Sequence, residues 1–223
     1  MNLGVAAYRF ILPFCTMQRC KQVHHVRAWQ EPSMSHPQAR QGRTEDSGVT
    51  LVLGGVRSGK SRYAQQLGER ANRVVFIATA EVRGDREMQA KIERHQSDRP
   101  DHWTTVEEPI ELGRAIRSAP LGTEVILIDC LTLFAANLLE RFGEQTTADH
   151  AEVKALCESL SSARCPIVLV SNEVGSGVVP AYTLGRRFRD LTGELNQRIA
   201  AEADNVFLMI AGLPLILKGE AQQ

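Results

Sequence analysis

The chain has 223 residues, 43% of them hydrophobic, with 26 basic against 26 acidic side chains. That length suits one well-covered α/β domain and leaves two full domains tight, and the balanced charge gives no reason to expect nucleic acid or an anionic membrane as a partner. Cys15, Cys20, Cys130, Cys157 and Cys165 form no CxxC pair, which speaks against zinc or redox chemistry and for reduced thiols in a cytoplasmic protein.

Residues 1–48 differ from the rest. They carry three of the six histidines and six basic against three acidic residues, leaving 20 basic against 23 acidic in the remainder. The apolar run from Phe10 to Cys15 is too short to span a bilayer, and no small-residue cleavage site follows it. The segment reads as disordered, or as translated from a start upstream of the true one, with Met34 an internal candidate. His24 and His25 lack the carboxylate or thiol framework of a metal site. Residues 49–223 read as a single domain.

Val49-Thr50-Leu51-Val52-Leu53 is a β-rich run that enters Gly54-Gly55-Val56-Arg57-Ser58-Gly59-Lys60-Ser61. The spacing G-x-x-x-x-G-K-S has a mechanism: the glycines let successive N–H groups point into one concavity, Lys60 reaches the β- and γ-phosphates, and Ser61 is placed to ligate Mg²⁺. Arg62 to Arg70 is helix-forming, so a helix N-terminus faces the phosphates. The expected ligand is a nucleoside triphosphate, ATP or GTP.

Val74 to Thr79, Glu124 to Asp129, Pro166 to Asn172 and Asn205 to Ile210 are short continuous runs of the kind buried on both faces of a parallel sheet. Helical stretches separate them, as right-handed crossovers require. With the first strand they predict five parallel strands. Leu215-Ile216-Leu217-Lys218, close behind the fifth with Gly212 and Pro214 between, predicts an antiparallel edge strand. The fold class is α/β, a P-loop NTPase of the RecA-like kind, with a mostly parallel sheet flanked by helices. Cys130 and Cys165 adjoin strands and read as small buried hydrophobes.

Asp129 ends a mostly apolar strand, the layout of an acidic motif that holds Mg²⁺, although Asp also caps helices and Leu131 to Leu139 looks helical. Between the expected strands Val74 to Thr79 and Glu124 to Asp129 a helix is expected from Asp85 to Gln96. Met88, Ile92 and His95 share its inward face. A lone histidine on an apolar face is more often a hydrogen-bonded core residue than a catalyst. Beside bound phosphates, however, a neutral imidazole is a competent nucleophile toward an α-phosphorus, and Arg99 adds a second cation. Asn172-Glu173 with Gly175 and Gly177 describes a flexible loop at the same edge, suited to closing over a large substrate. Arg186, Arg187 and Arg189 with Asp190 read equally well as a phosphate site or as an exposed helix laced with ion pairs. Trp103 reads as a core anchor ahead of a lid for a flat ligand.

Several stretches together carry a family resemblance: Gly54 to Ser61, Phe76-Ile77-Ala78-Thr79-Ala80, His95-Gln96-Ser97-Asp98-Arg99-Pro100 with Trp103, Thr105 to Pro109, Asp129-Cys130-Leu131-Thr132, Asn137-Leu138-Leu139, Ser171 to Pro180, Arg187 to Asp190, and Gly193 to Gln197. Over about residues 49–218 the chain resembles the bifunctional adenosylcobinamide kinase / adenosylcobinamide-phosphate guanylyltransferase family of cobalamin biosynthesis. The resemblance implies phosphorylation of the aminopropanol hydroxyl of adenosylcobinamide, then transfer of GMP from GTP to that phosphate through a guanylylated histidine, at the position of His95. It also implies nucleotide contacts from the phosphate loop with Lys60, from Ala78, Thr79 and Ala80, and from Gln96, Ser97, Asp98 and Arg99. Glu107 and Asp129 would contact guanosine or metal, and the assembly would be a homo-oligomer, a trimer. Residues 1–48 have no counterpart in the family pattern, and Asp129 stands where some members carry Glu. Two other readings compete: a single-step small-molecule kinase that leaves His95 silent, and a regulatory nucleotide switch that binds a partner protein.

Overall fold

Alternating side chains of the apolar runs pack to opposite faces of one sheet, which is why those runs are apolar throughout. The computed structural model describes residues 47–81 and 100–219. The N-terminal extension up to Asp46 and the expected helix from Asp85 to Gln96, with His95, Gln96, Ser97, Asp98 and Arg99, lie outside the described residues.

The strands are β1 (Val49–Gly54), β2 (Val74–Ala78), β3 (Thr104–Glu107), β4 (Val125–Asp129), β5 (Ile167–Asn172), β6 (Asn205–Ile210) and β7 (Leu213–Lys218). They lie in the order β3-β2-β4-β5-β1-β6-β7, the first six parallel and β7 antiparallel to β6. The helices are α1 (Lys60–Gly68), α2 (Leu112–Arg117), α3 (Leu131–Phe142), α4 (Ala151–Ser161) and α5 (Thr183–Glu202). On one face Leu51, Ile77, Ile128 and Leu169 meet Leu112, Phe134, Leu138, Leu156, Leu160 and Leu195 of α2, α3, α4 and α5. On the other, Val52, Phe76, Leu127 and Val170 meet Ala64 of α1 and Trp103. The two-sided sheet with a strand between the phosphate-loop strand and the acidic strand is the expected P-loop architecture.

Two expectations need correction. There are six parallel strands, not five, because Thr104–Glu107 pairs with β2 at the sheet edge. It is four residues long and largely exposed, so it carries no apolar run to betray it. The antiparallel strand begins at Leu213 and takes in Pro214, opposite Met209. An edge strand tolerates proline because its outer N–H has no ladder partner to lose. Ala211 and Gly212 join β6 to β7 with φ of 53° and 83°, the two positive angles of a type I′ hairpin turn.

Candidate nucleotide site at the carboxyl edge of the sheet

The parallel strands all end at one edge, and the sequence motifs sit at those ends. Gly54 is opposite Asn172 of β5, and Ala78 lies between Glu107 of β3 and Asp129 of β4. The phosphate loop leaves β1 and enters α1 at Lys60. A Cβ at Gly54 would stand 2.4 Å from Ser58 Oγ and 2.9 Å from the Met209 carbonyl, so the loop folds back too tightly for any side chain there. Gly59 has φ of 95°, and the loop is braced outside by the Gly212 N–H, which donates to the Ser58 carbonyl at 2.9 Å. Lys60 Nζ donates to the Gly55 carbonyl at 3.1 Å, which holds the ammonium over the loop. Val56 and Arg57 are exposed, Ser61 is half-buried, and Ser58 Oγ is buried without a partner among the described residues.

The two adjacent glutamates have different fates. Glu108 caps α2: its Oε1 accepts from the N–H groups of Ile110 and Glu111 at 3.0 and 2.8 Å, and Arg114 pairs with its Oε2 at 3.4 Å. Glu107 is exposed at the edge and makes no ion pair among the described residues. Asp129 does not cap α3; the cap position is Cys130, which supplies no side-chain bond. Its charge is felt by the Cys130 thiol, which burial first and the Asp129 carboxylate second push up to about 11.

Thr79 is fully buried and has no polar atom to spare. Its Oγ1 accepts from Cys130 N at 2.7 Å and donates to Cys130 O at 2.8 Å, its N–H donates to the Asp129 carbonyl at 3.2 Å, and its carbonyl accepts from Asn137 Nδ2 at 2.9 Å. Ala80 follows it, half-buried.

The loop after β5 is tied to the phosphate loop, since Glu173 N–H donates to the Gly54 carbonyl at 3.1 Å, while Glu173 Oε1 accepts from Gly175 N–H at 2.7 Å. Of the three arginines, Arg186 holds the carbonyls of Pro180 and Ala181 at 3.0 and 2.8 Å, and Arg189 pairs with Asp190 at 2.9 Å. Arg187 is exposed and carries no ion pair among the described residues. Trp103 is buried and stacks at 6.4 Å on Phe76. Sequence reasoning assigned no role to Thr132 or Asn196. Thr132 Oγ1 accepts from both N–H and Nδ2 of Asn172 at 2.8 and 3.1 Å, and Asn196 Nδ2 donates to the Asn172 carbonyl at 3.1 Å. A polar residue on the apolar face of a helix was the available signal.

Residues 50–217 match the family model described as cobinamide kinase / cobinamide phosphate guanyltransferase. The chain is 46% identical over 171 residues to the bifunctional adenosylcobalamin biosynthesis protein CobP of Pseudomonas aeruginosa, covering 76% of this chain and 97% of that protein. It is 40% identical over 181 residues to the bifunctional adenosylcobalamin biosynthesis protein CobU of Escherichia coli, covering 76% and 99%. Among solved structures it is similar to a prototypical ATPase from the type III secretion system of pathogenic bacteria, with a TM-score of 0.49, 13% identity, and coverage of 76% of this chain and 56% of that one.

Proposed function

The chain belongs to the cobinamide kinase / cobinamide phosphate guanyltransferase family, and on that ground we propose that it phosphorylates the aminopropanol hydroxyl of adenosylcobinamide with ATP or GTP and then transfers GMP from GTP to the new phosphate, giving adenosylcobinamide-GDP. The observation that carries the site assignment is the convergence of the phosphate loop, Asp129 and Glu107 on one sheet edge. A single-step kinase would leave the second activity of the family unexplained, and a regulatory switch would need no corrinoid.

In the kinase step the substrate hydroxyl oxygen bonds to the γ-phosphorus, the bond to the bridging oxygen breaks, and the electron pair leaves on the nucleoside diphosphate. Lys60 and the loop amides offset the charge that builds on the phosphoryl oxygens. Ser61 and Asp129 suit Mg²⁺, being a hydroxyl and a carboxylate at the same edge, hard oxygen donors of the kind this ion selects. When bound, Mg²⁺ would supply charge neutralisation at the β- and γ-phosphates.

In the second reaction an imidazole nitrogen of His95 attacks the α-phosphorus of GTP and pyrophosphate leaves. The phosphate of the cobinamide then displaces the histidine, which departs as a protonated, hence good, leaving group. Ala78, Ala80, Gln96, Ser97, Asp98 and Arg99 are assigned to this nucleotide, with Arg57 on its phosphates. Strand spacing divides the work of the two acids. Adjacent strands lie about 4.8 Å apart, so Asp129, two strands from Gly54, is about 10 Å away across the sheet, and Glu107, four strands away, about 19 Å. They cannot share one metal ion on the loop-bound phosphates. Asp129 serves the metal and Glu107 the guanosine.

The working form is a homo-oligomer, a trimer. Supporting this, β7 exposes Leu213, Leu215, Ile216 and Leu217 at 71%, 51%, 42% and 55%, an edge apolar up to its last residue, Lys218, of the kind chains cover with a partner. A cytoplasmic location fits a described chain in which no helix is long and apolar enough to cross a membrane. Incubation with α-labelled GTP tests the chemistry: the parent takes up acid-labile, base-stable label and His95→Ala does not. Equal labelling of the two would remove His95 from the mechanism.

A further inference from the structure

The strand ladder ends at the row that carries Glu107, Ala78 and Asp129, and one backbone bond follows on each side, Thr79 N–H to the Asp129 carbonyl at 3.2 Å and Glu108 N–H to the Ala78 carbonyl at 2.9 Å. Beyond these the chains are held by a small buried network. Thr79 grips both backbone polar atoms of Cys130, the residue after Asp129, at 2.7 and 2.8 Å. Asn137, on α3 and only 6% exposed, donates from one nitrogen to the Thr79 carbonyl at 2.9 Å and to the Pro109 carbonyl at 3.1 Å. Pro109 lies two residues past Glu107. Three chain segments, one behind each strand end, are thereby locked to the first turns of a single helix.

Polarity at these positions has a cost that packing does not explain. Asn137 sits among Phe134, Leu138 and Leu139 of the same buried face, where leucine would be the better helix former and would bury more apolar surface. A leucine there would leave two carbonyls without their donor. The side chain is therefore matched to the position of the two loops and not to the core.

We infer that Thr79 and Asn137 act as a positioning pair that sets the place of the Asp129 carboxylate and so tunes Mg²⁺ affinity at the nucleotide. The inference rests on the assignment of Asp129 to the metal made above. Its physical basis is the strictness of the ion: Mg²⁺ demands near-octahedral geometry at about 2.0–2.1 Å, so a carboxylate that drifts by a fraction of an ångström loses most of its value. Residues that orient ligands from behind typically alter metal affinity by about 10- to 100-fold when removed.

The test is GDP binding by calorimetry, with Mg²⁺ and with EDTA, to the parent, Thr79→Val, Thr79→Ser, Asn137→Leu and Asp129→Ala. Thr79→Val and Asn137→Leu are expected to cut the Mg²⁺-dependent gain in affinity by about 10-fold or more while binding in EDTA, which depends on the phosphate loop, stays within about twofold of the parent, the Mg²⁺-linked part alone being at stake. Thr79→Ser, which keeps the hydroxyl, is expected to retain most of the gain. Equal weakening with and without Mg²⁺, or no change in either, would overturn the positioning role, and so would Thr79→Ser behaving like Thr79→Val. An Asp129→Ala protein that keeps the full Mg²⁺ gain would sink the metal assignment itself, and the inference with it. An intact Asp129 effect beside silent Thr79 and Asn137 variants would sink the inference alone.

Discussion

Replacing Trp103 separates a core anchor from a ligand lid. The indole is 7% exposed, stacks on Phe76 with ring centroids 6.4 Å apart and planes at 26°, and crowds the end of α1 so closely that a Cβ at Gly68 would stand 3.2 Å from it. Removing a buried aromatic side chain of this size costs about 3–5 kcal/mol through lost transfer energy and the cavity left behind. At about 2–4 °C per kcal/mol for a domain of this size, Trp103→Ala should lower the midpoint of thermal unfolding by about 6–20 °C. Trp103→Phe should cost far less, since stacking on Phe76 survives and the indole N–H, buried without a partner among the described residues, is removed, which recovers part of a penalty of about 1–3 kcal/mol. The assay is a circular-dichroism melt of all three proteins beside GTP titrations at a temperature where each is folded. A Trp103→Ala midpoint within about 1 °C of the parent, far below the cavity cost, joined to a weakened GTP affinity would refute the core assignment and return Trp103 to the ligand.

Two further outcomes follow from the exposed edge and from the buried thiol. Leu215→Lys, at an exposed position of β7, should lower the solution mass from an oligomer to a monomer by light scattering with little effect on the monomer's fold, since surface changes usually stay within about 0.5 kcal/mol; an unchanged mass would move the interface elsewhere. Cys130, with its thiol raised to about 11 by burial and by Asp129, stays protonated at pH 8 because a raised pKa keeps the thiol form up to higher pH. Burial also raises the thiols of Cys157 and Cys165, but these are only half-buried while Cys130 is buried, so they should be alkylated by iodoacetamide well before Cys130, as read by peptide mass mapping, and modification of Cys130 at their rate would contradict its burial.

The strands legible in the sequence were those covered on both faces. β1, β2, β4, β5 and β6 are apolar because helices, or α1 with Trp103, lie over each side of them. β3 escaped notice for the complementary reason: at the edge, with three of its four residues exposed, it needs no apolar run. The motif residues were legible as a set but not in their roles. Glu107 and Glu108 are the same residue type one position apart, and only the cap of α2 shows which carboxylate is spent. The three arginines of α5 are likewise equal in sequence until the carbonyls of Pro180 and Ala181 claim Arg186. Thr79 reads as a nucleotide contact beside Ala78 and Ala80, whereas its hydrogen bonds run to residues 51 and 58 positions away. Long-range hydrogen bonds leave no periodicity behind, so that part of the site could not be read before the fold was known.

The sheet order also bears on the nucleotide path proposed above. On one side of the phosphate loop stands the hairpin turn, where Gly212 donates to the Ser58 carbonyl and its Cα approaches Gly59 so nearly that a Cβ there would stand 3.2 Å away. On the other side lie β5, β4, β2 and β3 in turn, presenting Asn172, Asp129, Ala78 and Glu107 along the same edge. The roles proposed above, Asp129 for the metal and Glu107 for the guanosine, correspond to a nucleotide that runs from Lys60 over β5 toward them. The chain between Glu81 and Pro100 leaves β2 and returns to β3, the two strands at the base end of that path. This connection carries His95, the residue proposed above as the nucleophile.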